Sequence, residues 1–406
     1  MSSFTARWSL CLCVMTVLSI GLNGCVANKS FNPEPHQYLQ TLSEPTDDAL
    51  GVDLAIIEFD EFGMFWNRDQ LESAIDLIRR RNDESERGIA VVTYVHGWMN
   101  NANPDREDGD LYRFRGDLAN IATGLKAEDE RAPDRVVGVY LAWRGATNRI
   151  PAWSALSFWD RKRTGERVAS YQMRETLFRL VGAAKTREDS KVLLSGHSMG
   201  GMITARSLAP TISTLLLAAG PEGLFVPVDL VLLQNPALDA LTTYQFIEFM
   251  KRTGTRAELV YEDGRTKPAP GPVIVAITSE ADWVTRVAYR GGQILGNLSN
   301  DFRSDIGEGV PSQGDLSNRA TGHSDFLTSH RAWLEDGEVK IEAVPDAYND
   351  TPYWVVRVTE DICKNHGDIH NPRFTALLAK LTKLNEFYDT TVKTRLTQDP
   401  SQRPGG

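Results

Sequence analysis

Apolar positions fall into two patterns along this chain, and the two alternate. Short continuous runs occur at Ala55–Phe59 (AIIEF), Ile89–Val95 (IAVVTYV), Val136–Trp143 (VVGVYLAW), Lys191–Leu194, Val228–Leu233, Pro272–Ile277 and Trp354–Val358. They are rich in β-branched residues and too short for helices, so they predict strands buried on both faces. Helical spacing covers Leu71–Arg81, Tyr112–Leu125, Glu166–Ala184, Met199–Ala209, Thr243–Lys251 and Arg373–Tyr388. Strands alternating with helices imply right-handed crossovers. The predicted architecture is α/β, a doubly wound and mostly parallel sheet with helices on both faces.

Three segments fall outside this rhythm. Leu10 to Leu22 is an apolar run of the length of a secretory signal core, too short to span a bilayer. Residues 25–51 are polar, with Pro33, Pro35 and Pro45, and read as a tether. Residues 299–350 lack clear periodicity and read as an insertion into a domain spanning 52–395, with 396–406 a disordered tail.

Composition narrows the options. The 406 residues are 41% apolar and 24% charged, with a net charge of -10, an ordinary globular mix long enough for a large core. The acidic balance argues against nucleic acid as the partner, because a phosphate backbone needs a basic face. Beyond the N-terminus no stretch reads as apolar over the ~20 residues that a spanning helix needs. Leu22-Asn23-Gly24-Cys25 resembles the lipobox of bacterial lipoproteins, although that family more often has a small or hydroxyl side chain where Asn23 stands. The resemblance implies a signal peptide over 1–24, lipidation of Cys25 and attachment to the membrane of the bacterial envelope. Val26 rather than Asp after the cysteine implies the outer membrane. Only Cys25 and Cys363 then remain, the first of them alkylated, so no disulfide is expected.

The strand before Ser195 runs into Gly196-His197-Ser198-Met199-Gly200-Gly201, and a helical stretch follows. G-x-S-x-G is a weak motif alone; the strand and helix around it carry the argument. A serine projecting from a sharp strand-to-helix turn needs a strained backbone, with glycine two residues either side to admit neighbouring main chain. The arrangement resembles the nucleophile elbow of α/β-hydrolases, in the GHSMGG form of serine esterases and lipases. That resemblance implies the α/β-hydrolase fold over residues 52–395, with Ser198 as nucleophile and the Met199 N–H as an oxyanion donor. His197 is expected to point away from Ser198 and to be structural. A second strand runs into His96-Gly97-Trp98, which resembles the oxyanion loop of that superfamily. It implies the Trp98 N–H as second donor and a structural His96.

The family order is Ser, acid, His. The strand PVIVAI runs into Ser279-Glu280-Ala281-Asp282, so Asp282 is the expected acid and Glu280 its rival. Of His323, His330, His366 and His370, only the last two lie between the last strand and last helix. His366, followed by Gly367, is favoured over His370, and His323 and His330 are expected in a lid or on the surface. The histidines form no H-E-x-x-H pattern and the cysteines no paired spacing, so neither metal nor cofactor is expected. Trp143, Trp153, Phe158 and Trp159 either cap Ser198 or pack a helix onto the core. The expected activity is a serine carboxylic ester hydrolase acting on a small-molecule or lipid ester through an acyl-enzyme. A thioesterase, acyltransferase or peptidase would share the triad, and a non-catalytic surface lipoprotein could share the fold.

Overall fold

A computed structural model describes residues 28–128, 131–146, 151–219 and 223–399, without the side chains of 128 and 151–156. The expected signal segment 1–24 and the lipidation site Cys25 lie outside the described residues.

Ten strands form one sheet. In chain order they are β1 (Leu39–Ser43), β2 (Gly51–Glu58), β3 (Ile89–Val95), β4 (Arg135–Ala142), β5 (Lys191–His197), β7 (Leu230–Gln234), β10 (Ile274–Ser279), β11 (His330–Glu335), β12 (Glu338–Ala343) and β13 (Tyr353–Val358). The spatial order is β1-β2-β4-β3-β5-β7-β10-β13-β11-β12. Every pairing from β2 through β11 is parallel, and the two edge pairings, β1 with β2 and β11 with β12, are antiparallel. A separate small sheet holds β6 (Leu224–Phe225), β8 (Arg256–Val260), β9 (Thr266–Pro268) and β14 (Lys393–Thr397).

Successive residues of a strand point to opposite faces, so a strand covered on both sides must be apolar throughout. β2 through β5 are buried at every position. Ala55 and Ile57 enter one core cluster with Leu71, Leu177, Ile203 and Ile247; Leu54 and Ile56 enter the other with Phe114, Leu118, Phe374 and Leu377. The helices Asp69–Glu84, Tyr171–Ala184, Met199–Ala219 and Ala240–Arg252 therefore cover one face, and Asp110–Glu128 and Pro372–Leu384 the other. Asp53 interrupts the apolar run of β2, and Arg81 and Arg135 pair with it at 2.8 and 2.5 Å.

Several sequence expectations change. The segment read as a tether over 25–51 is built into the fold from Ser30 onward. The buried Glu58 accepts hydrogen bonds from the Ser30 hydroxyl and from the Phe31 and Asn32 N–H groups, and β1 pairs with β2. An edge strand buries little, so its sequence carries little apolar signal. The expected insertion 299–350 holds the hairpin β11–β12, which extends the main sheet. The expected tail beginning at 396 overlaps β14. One long helix over 166–184 is instead two, Pro151–Val168 and Tyr171–Ala184. The helix Met199–Ala219 is long and apolar enough by composition to cross a membrane, contrary to the sequence reading. Its buried residues, Met202 and Ile203 among them, belong to the core.

Candidate active site

Parallel strands end on one edge of the sheet, and ligands of open α/β sheets gather there. The loops after β3, β5, β10 and β13 carry His96-Gly97-Trp98, Ser198, Asp282 and His366, and these strands are near neighbours in the sheet.

Ser198 has φ of 55°, a left-handed backbone rare for a residue with a side chain. The surroundings hold it there. Its N–H donates to Gln234 O at 2.8 Å, and its carbonyl accepts from Ala237 and Met202 N–H at 2.9 and 3.2 Å. Such a conformation costs about 1–3 kcal/mol and persists only when the neighbours over-determine it. The flanking glycines have a steric reason. A Cβ on Gly200 would stand 1.9 Å from Val95 O, and one on Gly196 would stand 2.5 Å from Gly200 O. Met99 (φ 68°) and Asn235 (φ 43°) adopt the same unusual backbone in the loops after β3 and β7, on either side of Ser198.

Ser198 Oγ lies 2.7 Å from His366 Nε2, and His366 Nδ1 lies 2.7 Å from Asp282 Oδ2. A carboxylate only accepts, so Nδ1 carries the proton and donates to Asp282, and Nε2 accepts from the serine hydroxyl. Asp282 is fully buried. Its Oδ1 accepts the Thr285 N–H at 3.1 Å and its Oδ2 the Thr285 hydroxyl at 2.5 Å. Burial alone pushes this carboxyl up, but the neighbouring His366 and the two Thr285 donors outweigh it and bring it below the usual range. The Thr285 hydroxyl in turn accepts from His323 Nε2 at 3.0 Å. His323, expected in a lid or on the surface, is therefore bonded into the support of Asp282. Burial pushes its imidazole down to about 4, so it is neutral near pH 7.

The rivals lie elsewhere. Glu280 is exposed. His370 Nδ1 bonds Asp117 at 2.7 Å, away from Ser198. His330 opens β11 and stacks on Trp354 at 3.6 Å between ring centroids, in the sheet rather than in a lid.

The β3 loop presses against Ser198, because a Cβ on Gly97 would meet Ser198 Cβ at 3.0 Å. The Met99 N–H is already committed to Gly145 O at 3.0 Å. Among the described residues the N–H groups of Trp98 and Met199 have no protein acceptor, so both are free to serve a ligand. His96 braces this loop. Its Nδ1–H donates to Gly97 O at 2.9 Å, and its Nε2 accepts the Trp143 N–H at 3.0 Å. Burial lowers its basicity, in keeping with a neutral ring.

His197 turns away from Ser198. Its Nε2–H donates to the carbonyl of His366 at 2.9 Å, and the Asn235 amide donates to the same oxygen at 2.9 Å. Asn235 Oδ1 also accepts the Ser279 N–H at 3.0 Å, so one side chain ties the acid's strand to the histidine's loop. Sequence reading missed Asn235; an asparagine before Pro236 at a strand end was the available signal. Trp143 is buried and stacks on His96, and Phe158 packs edge-on against Trp98 at 5.2 Å. Trp159 lies against Tyr289 at 6.0 Å. Trp143 and Phe158 thus pack against the His96-Gly97-Trp98 loop, while the Trp153 side chain is outside the described residues. Cys363 is buried in the His366 loop, its thiol pushed up to about 11 by burial.

No protein-family model, curated protein or solved structure matches this chain.

Proposed function

We propose that the chain is a serine carboxylic ester hydrolase of the α/β-hydrolase type, anchored in the bacterial envelope through lipid on Cys25. The observation that carries the reading is the hydrogen-bonded line from Ser198 through His366 to Asp282, 2.7 Å at each step, beginning at a serine with left-handed backbone. Supporting it, the acid and histidine follow the nucleophile in the order Ser, Asp, His, each at the C-terminal end of a strand.

In this reading Ser198 Oγ attacks the ester carbonyl carbon while His366 Nε2 takes its proton. Asp282 keeps the proton on Nδ1 and stabilises the imidazolium. The carbonyl oxygen, now negative, accepts from the Trp98 and Met199 N–H groups. His366 then protonates the departing alkoxide. Water attacks the acyl-enzyme with His366 again as base and Ser198 as leaving group. Lipidation of Cys25 would hold the domain at the membrane, since a buried acyl chain contributes about 0.8 kcal/mol per CH₂.

The test is covalent labelling by a fluorophosphonate. Labelling of the wild type, lost in Ser198→Ala, is the expected result. Absence of labelling in well-folded wild-type protein overturns the reading. A panel of esters from acetyl to palmitoyl then identifies the acyl length.

A further inference from the structure

The described chain enters the fold at one edge of the main sheet. Ser30, Phe31 and Asn32 bond Glu58 at the end of β2, and Asn32 Nδ2 donates to Ala102 O in the loop after β3 at 2.9 Å. β2 runs parallel to β5 and β10, so this is the edge that carries Ser198 and Asp282. Cys25 precedes Asn28 by three residues, which reach at most about 11 Å. A lipid on Cys25 therefore holds this edge close to the bilayer and not at the end of a long tether.

The same edge carries an exposed apolar face. After Asp282 the chain coils through Val284–Ala288 into the helix Tyr289–Gly296. Its inner side is fixed: Tyr289 lies against Trp159, a Cβ on Gly292 would run into the Trp159 ring, and Thr285 bonds Asp282. Past the helix, Asn297 donates to Asn318 Oδ1 at 2.9 Å, close to Ala320, which bridges to Asp239 in the loop after β7. The element therefore lies across the strand ends. Trp283, Val287, Ile294, Leu295 and Leu298 are exposed on its outer side. Val287 and Ile294 stand two helical turns apart and share one face, and Arg286 and Arg290, one turn apart, flank it. Phe62 and Met64, in the loop after β2, are exposed as well. A contiguous apolar face of this kind marks an interaction site. Residues 283–298 hold both arginines and no carboxylate, in a chain of net charge -10. Among the described residues neither arginine has a carboxylate within ion-pair distance.

Aliphatic side chains, a tryptophan and flanking arginines on one helix face match the boundary of a bilayer. The apolar groups enter the acyl region, tryptophan favours the interface, and guanidinium groups bond lipid phosphates. We propose that the face from Trp283 to Leu298 docks on an anionic lipid surface, with Arg286 and Arg290 on its phosphates, so that the strand ends bearing Ser198, Asp282 and His366 face the bilayer. The nearness of the membrane rests on the lipid at Cys25; the docking face goes beyond the esterase reading and does not require it.

The experiment places one fluorescent thiol label on the full chain, expressed in a bacterial host and bound to vesicles. Cys363 is buried and a lipidated Cys25 is alkylated, so an added cysteine takes the label, and the wild type treated alike is the blank. Leu295→Cys labels the proposed face. Leu217→Cys labels the far end of the helix Met199–Ala219, roughly 27 Å from the Ser198 turn at 1.5 Å per residue. The two leucines are 70% and 62% exposed, so the label disturbs neither interior. The vesicles are phosphatidylcholine mixed with phosphatidylglycerol, with a nitroxide quencher on the acyl chains. Loss of fluorescence from the Leu295 label and not from the Leu217 label is the expected result. Equal loss at both, or none at Leu295 in vesicle-bound protein, overturns the proposal. In Arg286→Gln/Arg290→Gln, and on phosphatidylcholine alone, the loss at Leu295 should shrink, because each basic residue at an anionic surface contributes about fivefold in affinity. An undiminished loss overturns the anionic partner. The mass of the purified chain reads the lipid separately. A chain without lipid whose Leu295 label is still quenched keeps the docking face and removes the anchor; one that neither carries lipid nor sediments with the vesicles overturns both.

Discussion

Replacing Asp282 by asparagine tests the orientation of the whole hydrogen-bonded line. The Thr285 N–H donates to Oδ1 at 3.1 Å, so the amide oxygen of the substituted side chain would occupy that side. The amide nitrogen then falls where Oδ2 stood, 2.7 Å from His366 Nδ1. An NH₂ group there donates to Nδ1, which forces the imidazole proton onto Nε2. That nitrogen, 2.7 Å from Ser198 Oγ, can no longer accept the serine proton. The Thr285 hydroxyl also loses its acceptor and must turn its lone pair toward the amide. Size and burial change little, so the protein should fold. A wrong tautomer at a serine triad lowers kcat by about 10⁴, which corresponds to roughly 5–6 kcal/mol of barrier. The assay is turnover of p-nitrophenyl acetate by Asp282→Asn beside Glu280→Gln, with thermal melts of both. Because Glu280 is exposed, its variant should stay within about twofold of wild type, as surface substitutions usually do. An Asp282→Asn enzyme within about tenfold of wild type, or a Glu280→Gln enzyme equally impaired, would refute the tautomer argument.

Other substitutions probe separate links. His366→Ala should lower turnover of the same ester by several orders of magnitude, while His370→Ala, which breaks only the bond to Asp117, should not; the reverse result reassigns the base. Gly200→Ala places a Cβ 1.9 Å from Val95 O, so urea unfolding should show a loss of at least the 1–3 kcal/mol or so typical of overpacking, and unchanged stability would contradict the close approach of β3 to the turn. The acid limb of stability should carry the buried histidines. Burial lowers His197 and His323 to about 4 in the folded chain, against an ordinary value of 6.5, so the unfolded chain binds more protons between those limits. Their contribution is complete above pH 6.5 and declines as pH falls toward 4, with a slope on the order of 1 kcal/mol per pH unit for each histidine. Denaturant unfolding at pH 7 and pH 5 measures this, and His323→Gln should show a smaller drop than wild type.

Much of the fold was legible because a strand buried on both faces leaves a continuous apolar run. The runs at Ile89–Val95 and Lys191–Leu194 coincide with β3 and β5. Edge elements were not legible for the converse reason. β1 is exposed or half-buried at all its positions and resembles the polar segment around it. The β11–β12 hairpin did carry a signal. Asp336-Gly337, at φ of 53° and 84°, is the two-residue turn that joins strands whose residues Glu335 and Glu338 pair. The signal was lost inside a long stretch read as irregular. Around the candidate site, the glycines of the Ser198 turn were readable because a close backbone approach excludes any side chain there. His323 was not, since its bond to Thr285 joins residues 38 apart in sequence with no local pattern between them.

The alternation of strands and helices, the sharp turn at Ser198 and the small set of acids and imidazoles able to serve it are all written in the chain itself. Those are local properties, set by side-chain periodicity and by the steric demands of a few backbone positions. Which carboxylate and which imidazole meet the hydroxyl depends instead on long-range folding. Ser198 and His366 are 168 residues apart, and they meet because the parallel order β5-β7-β10-β13 brings the ends of those strands to one edge of the sheet. The exposed face from Trp283 to Leu298 likewise shares an edge with the chain's entry at Ser30 only because β2 and β10 run parallel in one sheet.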